Sequence, residues 1–422
     1  MKKDIDNNIS INKYKIIMKI PNIINPKIKK ITLFLIILIF FIQNLLNCNN
    51  TNNEKFSIEN IKKNFDDFKL KYNKKYKEED EAIKMKNFEL NLKKIDQLNM
   101  KHKSKSDNNS DDKNLLKFNI NKFADLTEDE FRKYYLGLDT NSVKKLPKSN
   151  QNENASKKIN GSSSFIDISP KNFLSISTKT NVGNLIKNKN KNKNKNKNKN
   201  KNKNKNKNTI IPESYDLRNL APLYTYNQGN CAACWAFSVI HCLEAQYYLK
   251  YNQQIYLSAQ EAIDCAIYSN GCSQGNPYDA LEYGYNNGGF TSYNNYPFLS
   301  YRGQCRIYPK SAQIFDYGYD YYVNEEEMKY NLFNLGCYVF VLNADYLQFY
   351  ASGILDLDPI QCPIDNINHA VSMIGYGTYN LKKYWIVQNS WGEDWGEGGC
   401  FRIARGKNCC GLRSYLFYSL IN

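Results

Sequence analysis

Histidine is scarce in this sequence, and cysteine is nearly absent from its first half. The 422 residues include three histidines, His102, His241 and His369, and of 12 cysteines only Cys48 lies before Cys231. Without clustered histidines or paired Cys-x-x-Cys knuckles, a zinc site has few candidate ligands. We therefore expect no metal and no other cofactor, with a zinc site as the competing interpretation of the cysteines.

The C-terminal half also lacks net positive charge. From Ile211 onwards 12 Lys/Arg accompany 19 Asp/Glu, whereas residues 1–210 hold the other 46 and 22, so the net charge of +17 belongs to the N-terminal half. The Lys-Asn repeat at 187–208 supplies 11 of these lysines without interleaved aromatic residues. A nucleic-acid-binding arm is therefore a weak alternative, and we expect no nucleic-acid partner. Such a repeat cannot bury apolar surface, so residues 141–210 are predicted to be a disordered Asn/Lys-rich linker.

Long apolar runs are missing apart from one near the N-terminus. Ile31–Ile42, extended weakly to Leu46, is shorter than the roughly 20 residues of a membrane-spanning helix and is typical of a signal-peptide core. However, the 30 residues before it carry eight lysines and two aspartates, which would hold the N-terminus in the cytosol. For residues 1–50 a type II membrane anchor through Ile31–Leu46 and a cleaved signal peptide both remain open, with a buried core helix as a third interpretation. Either membrane interpretation sends the rest of the chain into a secretory or endosomal lumen, towards an acidic lysosome-like vacuole or the exterior.

The other eleven cysteines lie in the last 192 residues. That density suits a disulfide-bonded domain matured in an oxidising compartment, with one thiol kept for chemistry. The composition changes sharply at Ile211, and residues 211–422 are enough for two small lobes around a cleft.

The sequence around Cys234 predicts a reactive thiol. Turn-forming residues from Gln228 precede it, and an apolar pattern with helical spacing follows it, so we expect Cys234 at a helix N-terminus. There the helix dipole and free N–H groups lower the pKa of a thiol. Core packing is the usual alternative for an isolated cysteine.

A thiolate nucleophile needs a base, and His369 remains after elimination. His102 lies in the N-terminal half, and His241 is about 10 Å further along the helix of Cys234. Asn389 follows and can accept the imidazole N–H, while Trp391 can shield that hydrogen bond from water. The amide of Gln228 and the backbone N–H of Cys234 are the expected oxyanion donors.

Three ordered blocks carry a resemblance to a known family. Gln228-Gly-x-Cys-x-Ala-Cys234-Trp, Asn368-His369-Ala and Asn389-Ser-Trp391-Gly resemble the active-site blocks of the papain/cathepsin L cysteine proteases. The resemblance implies an α+β fold with a helical left lobe, an antiparallel β-barrel right lobe and a cleft between them, preceded by a helical propeptide. It implies hydrolysis of protein or peptide substrates, as a cysteine endopeptidase made as a zymogen.

Residues 54–140 resemble the inhibitory propeptide of that family. Helical spacing is visible at Phe65, Phe68, Tyr72 and Tyr76. A second set is similar to the family's helical inhibitor motif: Asp80, Lys84, Phe88, Asn91, Ile95 and Asn99. Asn119-x-Asn-x-Phe-x-Asp125 resembles its second motif. The resemblance implies that the chain's own propeptide covers the cleft until acid or proteolysis releases it, with processing near 208–211 and residues 211–422 as the catalytic domain.

Family spacing also implies disulfides and a substrate pocket. The implied disulfides are Cys231–Cys272, Cys265–Cys305 and Cys362–Cys410, which leaves Cys242, Cys337, Cys400 and Cys409 unassigned. Gly275 is expected to offer its backbone to the substrate, and Trp391 is expected to contact the substrate as well. The expected pocket has Pro277, Val341 and Ala370 as walls and Tyr415 as floor, which favours Leu or Val over Arg two places before the scissile bond.

The sequence departs from the family pattern at Ala232, Gln274 and Asn276. These departures keep open a catalytically impaired binding protein on the same fold. Ligase or exopeptidase specificity is a further alternative, although a carboxydipeptidase of this family would need extra histidines.

Overall fold

The computed structural model describes residues 56–103, 114–147 and 211–421, and the chain divides into two compact units between Lys75 and Tyr76. The expected anchor Ile31–Leu46 and the Lys-Asn repeat lie outside the described residues. Within the described ranges, no helix is long and apolar enough to cross a membrane.

The first unit contributes one described helix, α1 (Ile58–Lys71). The hydroxyl of Ser57 caps it by accepting from the backbone N–H of Asn60 at 3.3 Å. Ile61, Phe65 and Phe68 form its buried face. The helical pattern was expected to continue to Tyr76, but α1 ends at Lys71 because the following turn leaves helical geometry, with Asn73 at a φ of 49°.

The second unit begins with the rest of the pro-unit. Its elements are α2 (Glu78–Lys103), β1 (Lys117–Phe118), α3 (Glu128–Tyr135) and α4 (Thr140–Lys145). The disordered linker was expected from 141, but Asp139 caps α4 and Val143 is buried, so the order continues beyond that boundary. The described residues within 56–147 are called here the pro-unit.

The predicted helical motif lies on α2, where the amide of Asn91 donates to the carbonyls of Ala124 at 2.9 Å and Leu126 at 2.8 Å. Thr127 and Glu130 form a capping box at the start of α3. These bonds join α2 to the second pro-unit motif.

A helical lobe follows Ile211. It contains α5 (Cys234–Tyr251), α6 (Ala259–Cys265) and α7 (Pro277–Asn286), preceded by the short strand β2 (Tyr215–Asp216). Disulfides Cys231–Cys272 and Cys265–Cys305 join the loops around these helices. Pro277 is the first residue of α7, where its missing N–H costs no helical hydrogen bond.

A sheet lobe completes the chain and confirms the expected α+β class. It contains α8 (Glu325–Leu335) and β3 (Ile314–Tyr321), β4 (Tyr338–Leu342), β5 (Tyr350–Ser352), β6 (Ile354–Leu355), β7 (His369–Tyr379), β8 (Lys382–Gln388), β9 (Cys400–Ala404) and β10 (Tyr415–Ile421). The large sheet has the order β3-β10-β4-β7-β8-β9-β6, with β2 paired to β7. Its described pairs are antiparallel apart from β6–β9. β1 of the pro-unit pairs with β5 in a separate two-stranded sheet.

The β7–β8 hairpin positions two of the predicted site residues. Asn380 and Leu381 form its two-residue turn, both at positive φ, which is the geometry of the favoured hairpin turns. His369 is the first residue of β7 and Asn389 directly follows β8, so the antiparallel pairing returns the chain to the same end of the sheet. His369 and Asn389, which are 20 residues apart in sequence, are thereby brought into side-chain contact.

Candidate active site

Cys234 is the first residue of α5, as the sequence predicts. Its preceding residue, Ala233, provides no side-chain cap, so the first N–H groups of the helix have no capping oxygen from that position. The thiol is fully buried and lies against the backbone of Ala370, the residue after His369. The helical lobe thus presents the thiol to the edge of the sheet lobe that carries the histidine.

The expectation of a lowered thiol pKa is not met in this form of the protein. Burial raises the pKa of Cys234 to about 11, against hydrogen bonds with the backbone at Ala370, Gly137 and Trp235 that lower it. Gly137 belongs to the pro-unit, so part of the environment that excludes water comes from the propeptide. A helix N-terminus favours thiolate, but here desolvation has the larger effect.

His369 and Asn389 form the expected pair. His369 Nε2 lies 2.9 Å from Asn389 Oδ1, and both side chains are buried. An amide oxygen only accepts, so Nε2 carries the proton and Nδ1 is the basic nitrogen. Nδ1 is buried without a hydrogen-bond partner within the described residues. The ring therefore has one nitrogen held in place and the other available to take a proton.

The protonation of His369 is also disfavoured in this form. Burial lowers its pKa to about 4, although the hydrogen bond to Asn389 acts in the opposite direction. Together with the raised pKa of Cys234, this keeps thiol and imidazole neutral. His241 is buried further along α5 beside Ser372, and burial lowers its pKa to about 3 as well.

Gln228 is buried and held by three groups. Its Oε1 accepts from Ser390 Oγ at 2.6 Å, while its Nε2 donates to the carbonyls of Cys231 at 3.0 Å and Tyr135 at 3.3 Å. Tyr135 ends α3 of the pro-unit. A propeptide carbonyl therefore occupies the amide donor that was predicted to bind an oxyanion.

Trp391 packs on His369 and also contacts the propeptide. Its ring centroid lies 4.8 Å from that of His369, which supports its predicted shielding position. On the pro-unit side, the rings of Phe123 and Phe131 meet Trp391 edge-on at 5.4 and 5.2 Å. This aromatic cluster lies directly beside the His369–Asn389 pair.

Residues 135–143 of the pro-unit, called here the blocking segment, occupy the cleft. Gly275 N donates to the carbonyl of Gly137 at 2.9 Å, and Asp139 N donates to the carbonyl of Gly275 at 2.8 Å, on either side of a parallel bridge at Leu138. A Cβ on Gly137 would lie 1.7 Å from the carbonyl oxygen of Ala232, so this close approach requires glycine. The backbone of Gly275, which was expected to bind substrate, is hydrogen-bonded to the propeptide in this form of the protein.

The expected pocket residues are buried in the same region. Val341 and Ala370 are opposite each other in the β4–β7 ladder, and Pro277 begins α7 directly after Asn276. Tyr415 begins β10, with its ring 4.9 Å from that of Tyr321. All four predicted pocket residues are buried in the structure.

Three disulfides are present at the pairs that the resemblance implied, Cys231–Cys272, Cys265–Cys305 and Cys362–Cys410.

The departures from the family pattern at Ala232 and Asn276 leave the local structure intact, since Ala232 N donates to Cys272 O at 2.9 Å and Asn276 caps α7. Nothing at these positions favours an impaired site. Among the described residues, no group of three or more His, Cys, Asp or Glu side chains is placed to hold a metal ion.

Sequence reasoning missed some contributors to the site. Ser390 lies within the Asn389-Ser-Trp391-Gly block, and its hydroxyl positions Gln228, a role that the block itself does not indicate. Arg132 of α3 makes a two-point ion pair with Asp345, with nitrogen–oxygen distances of 3.1 and 3.2 Å. A separation of 213 residues gives no local signal for such a pair.

Comparisons with known proteins agree with this geometry. Residues 211–420 match the model of the papain family cysteine proteases, and residues 65–131 match the cathepsin propeptide inhibitor domain (I29). A viral cathepsin of Orgyia pseudotsugata multicapsid polyhedrosis virus is 31% identical over 359 residues, covering 84% of this chain and 90% of the relative. Fruit bromelain of Ananas comosus is 30% identical over 358 residues, covering 83% and 84%.

A solved structure is similar over nearly the same range. A recombinant stem bromelain precursor is 28% identical and superposes with a TM-score of 0.63, covering 86% of this chain and 99% of the precursor. Both the catalytic domain and the propeptide are therefore matched in one proenzyme. The chain belongs to the papain family of cysteine proteases and carries its inhibitory propeptide domain.

Proposed function

We propose that the protein is the zymogen of a cysteine endopeptidase in which Cys234 is the nucleophile, His369 the base and Asn389 the residue that orients the base. The hydrogen bond between His369 Nε2 and Asn389 Oδ1, with Nδ1 left free, is the observation that supports these roles most strongly. Cys234 lies on the facing lobe, against the backbone that follows His369.

Four residues divide the steps of the proposed reaction among them. The thiol of Cys234 transfers its proton to His369 Nδ1, and the sulfur attacks the substrate carbonyl. Gln228 Nε2 and the backbone N–H of Cys234 stabilise the oxyanion. His369 then gives its proton to the leaving amine, and later activates the water that hydrolyses the acyl-enzyme. Asn389 keeps Nδ1 directed at the sulfur throughout.

The blocking segment inhibits this chemistry in two ways. Its Tyr135 carbonyl uses the Gln228 donor, and Gly137 lies over Cys234, so a substrate carbonyl has no room. By excluding water it also favours neutral thiol and imidazole over the ion pair. Removal of the propeptide, through cleavage near 208–211, therefore both opens the cleft and activates the thiol.

The side chain that the propeptide places beside Gly275, that of Leu138, indicates the substrate preference. Leu138 pairs with Gly275 and its side chain is buried, so an aliphatic side chain occupies the position where a substrate would pair. Val341, Ala370 and Pro277 offer no charge there, and burial raises the pKa of the Tyr415 phenol, which stays neutral. A medium aliphatic residue is preferred over arginine two places before the scissile bond.

The site of action is an acidic or extracellular compartment reached through the secretory pathway. Three disulfides fit an oxidising lumen, and the apolar run Ile31–Leu46 would direct entry as a signal peptide or a membrane anchor. Mass analysis of the N-terminus of the proform, from both membrane and soluble fractions, distinguishes the two, because an anchor is retained on the proform and a signal peptide is removed.

Active-site labelling tests the proposed roles. After acid activation, an epoxysuccinyl inhibitor should modify Cys234, and Cys234→Ala should abolish both labelling and peptide hydrolysis while leaving the fold intact. Asn389→Ala should lower turnover by roughly 10–100-fold. Cys400→Ala is the matched control and should retain full activity. Hydrolysis by purified Cys234→Ala above a few per cent of wild type would disprove the nucleophile.

A further inference from the structure

Most cysteines of the catalytic domain have an evident partner. Six form the three disulfides, and Cys234 is the proposed nucleophile. The Sγ of Cys409 faces two backbone carbonyls at 3.6 and 3.5 Å, and Cys400 is hydrogen-bonded with an arginine side chain. Within residues 211–421 this leaves Cys242 and Cys337, both reduced in this structure.

These two thiols meet where the helical lobe packs on the sheet lobe. Cys242 lies in the third turn of α5, and Cys337 directly precedes β4. One turn further along α5, Gln246 Nε2 donates to the backbone carbonyl of Cys337 at 3.0 Å, which holds this helix face against the start of the strand. Cys242 lies one turn before Gln246 on the same face of α5, which places its thiol beside that of Cys337, and the two side chains are 3% and 1% exposed.

Two buried thiols gain little from this contact as long as they stay reduced. Thiols are weak donors and weak acceptors, so the pair behaves mainly as two small apolar side chains. Burial, and then the contact with Cys242, raise the pKa of Cys337 well above its ordinary value. Neither thiol is therefore suited to act as a nucleophile in the folded protein.

We propose that Cys242 and Cys337 form a fourth disulfide that ties α5 to the entry of β4. One thiol, deprotonated during folding, attacks a disulfide of an oxidoreductase in the oxidising lumen and forms a mixed disulfide. The second thiolate then attacks the mixed disulfide and releases the oxidoreductase as a dithiol. The two cysteines lose two electrons and two protons, and the oxidoreductase disulfide gains them.

The bond would link the two sides of the catalytic cleft. α5 begins with Cys234, and β4 pairs with β7, whose first residue is His369. The three observed disulfides join loops within one lobe each, whereas this one crosses between lobes. It closes a long loop, and in the chain-entropy model a disulfide that closes a longer loop lowers the entropy of the unfolded chain more. After closure its burial protects it from external reductants.

Peptide mapping of the full-length proenzyme tests the proposal directly. Protein secreted from a eukaryotic host is denatured in N-ethylmaleimide at mildly acidic pH, where thiol exchange is slow, and digested without reductant. We expect a cross-linked peptide containing Cys242 and Cys337 that separates on reduction, while Cys400 is alkylated. Alkylation of both Cys242 and Cys337 in the native preparation, or a bond of either to another cysteine, overturns the proposal.

Variants provide a second measurement. If the bond exists, Cys242→Ala, Cys337→Ala and the double variant should lower the thermal midpoint by similar amounts, several degrees each. Cys409→Ala is the control, since it is equally buried but should leave the cross-linked peptide intact. Additive losses that persist in fully reduced protein would mean that the two thiols only pack.

Discussion

Two parts of the pro-unit hold the catalytic domain by different means. Residues 117–134, called here the anchoring segment, pair with β5 through β1 and add a set of side-chain contacts with the sheet lobe. These are the aromatic rings on Trp391, Asn121 on the Gln348 carbonyl at 2.7 Å, and the Arg132–Asp345 ion pair. The blocking segment contacts the cleft mainly through backbone hydrogen bonds at Gly275.

The two kinds of contact have different consequences: one sets how tightly the propeptide binds the catalytic domain, and the other sets how it covers the thiol. Buried aromatic side chains are the usual source of binding free energy, whereas a short backbone ladder contributes less but fixes where the chain runs. We infer that the anchoring segment supplies most of the free energy that keeps the cleft closed. Binding of the anchoring segment thereby holds the blocking segment over Cys234. Changes in the two segments should therefore have distinguishable effects.

The largest expected effect is the difference in thiol reactivity between intact and processed protein. In the intact chain the pKa of Cys234 is raised to about 11, so the thiol stays protonated through the neutral range and is also sterically covered. Processing removes the cover and lets the helix N-terminus favour thiolate. Alkylation of Cys234 by iodoacetamide at pH 7 should be at least about 1,000-fold faster after processing, as followed by peptide mass. Equal rates would show that the blocking segment does not cover the thiol.

Phe131→Ala should have the next largest effect, through the anchoring segment. Phe131 is 1% exposed and packs on both Phe123 and Trp391, so its truncation should cost about 3 kcal/mol of closed-state stability, or roughly 100-fold in the open population. The labelling rate of Cys234 in freshly purified intact proenzyme at neutral pH measures this population.

Asp129→Ala provides the matched control on the same helix. Its side chain is 96% exposed, and its oxygen is as far as 3.7 Å from the Arg132 nitrogen, so the ion pair is weak. The substitution should therefore leave the labelling rate within about twofold of wild type. A similar increase in both variants would mean that general loosening of α3 is responsible. In that case the aromatic contact with Trp391 would not be the anchor.

Gly137→Ala should act on the blocking segment alone. The added methyl group would meet the Ala232 carbonyl at 1.7 Å, so the segment must lift away from Cys234 while the anchoring segment stays bound. We expect labelling of Cys234 to rise by about 10–100-fold, with the propeptide still attached to the catalytic domain after cleavage of the linker. Gel filtration of the cleaved complex checks the second part. Loss of the propeptide together with faster labelling would place the anchor in the blocking segment.

The sequence predicted the candidate catalytic residues and an inhibitory propeptide, but not the contacts through which the propeptide covers the thiol. His369 could be selected because the other two histidines were excluded by position, and the helix starting at Cys234 followed from local spacing. The need for glycine at position 137 arises only where the chain meets Ala232, almost a hundred residues later. The raised pKa of Cys234 has the same origin, because the groups that exclude water lie far away in the sequence. Local patterns carry no information about such contacts.

The smallest expected effect concerns pH and the link between α2 and α3. Glu128 binds Lys94 of α2 and lies 3.6 Å from Arg132, and the Lys94 hydrogen bond lowers the pKa of Glu128 against the effect of burial. Because its pKa is depressed, this carboxylate stabilises the closed proenzyme above its ordinary pKa of about 4.3 and loses that contribution as pH falls through the lowered value. Glu128→Gln should therefore raise the labelling rate a few-fold at pH 6, as expected for a partly exposed ion pair, and should flatten the rise below pH 4. Asp129→Asn controls for charge alone. If Glu128→Gln keeps the pH profile of wild type, acid release depends on other carboxylates, and the α2–α3 link does not contribute to the anchor.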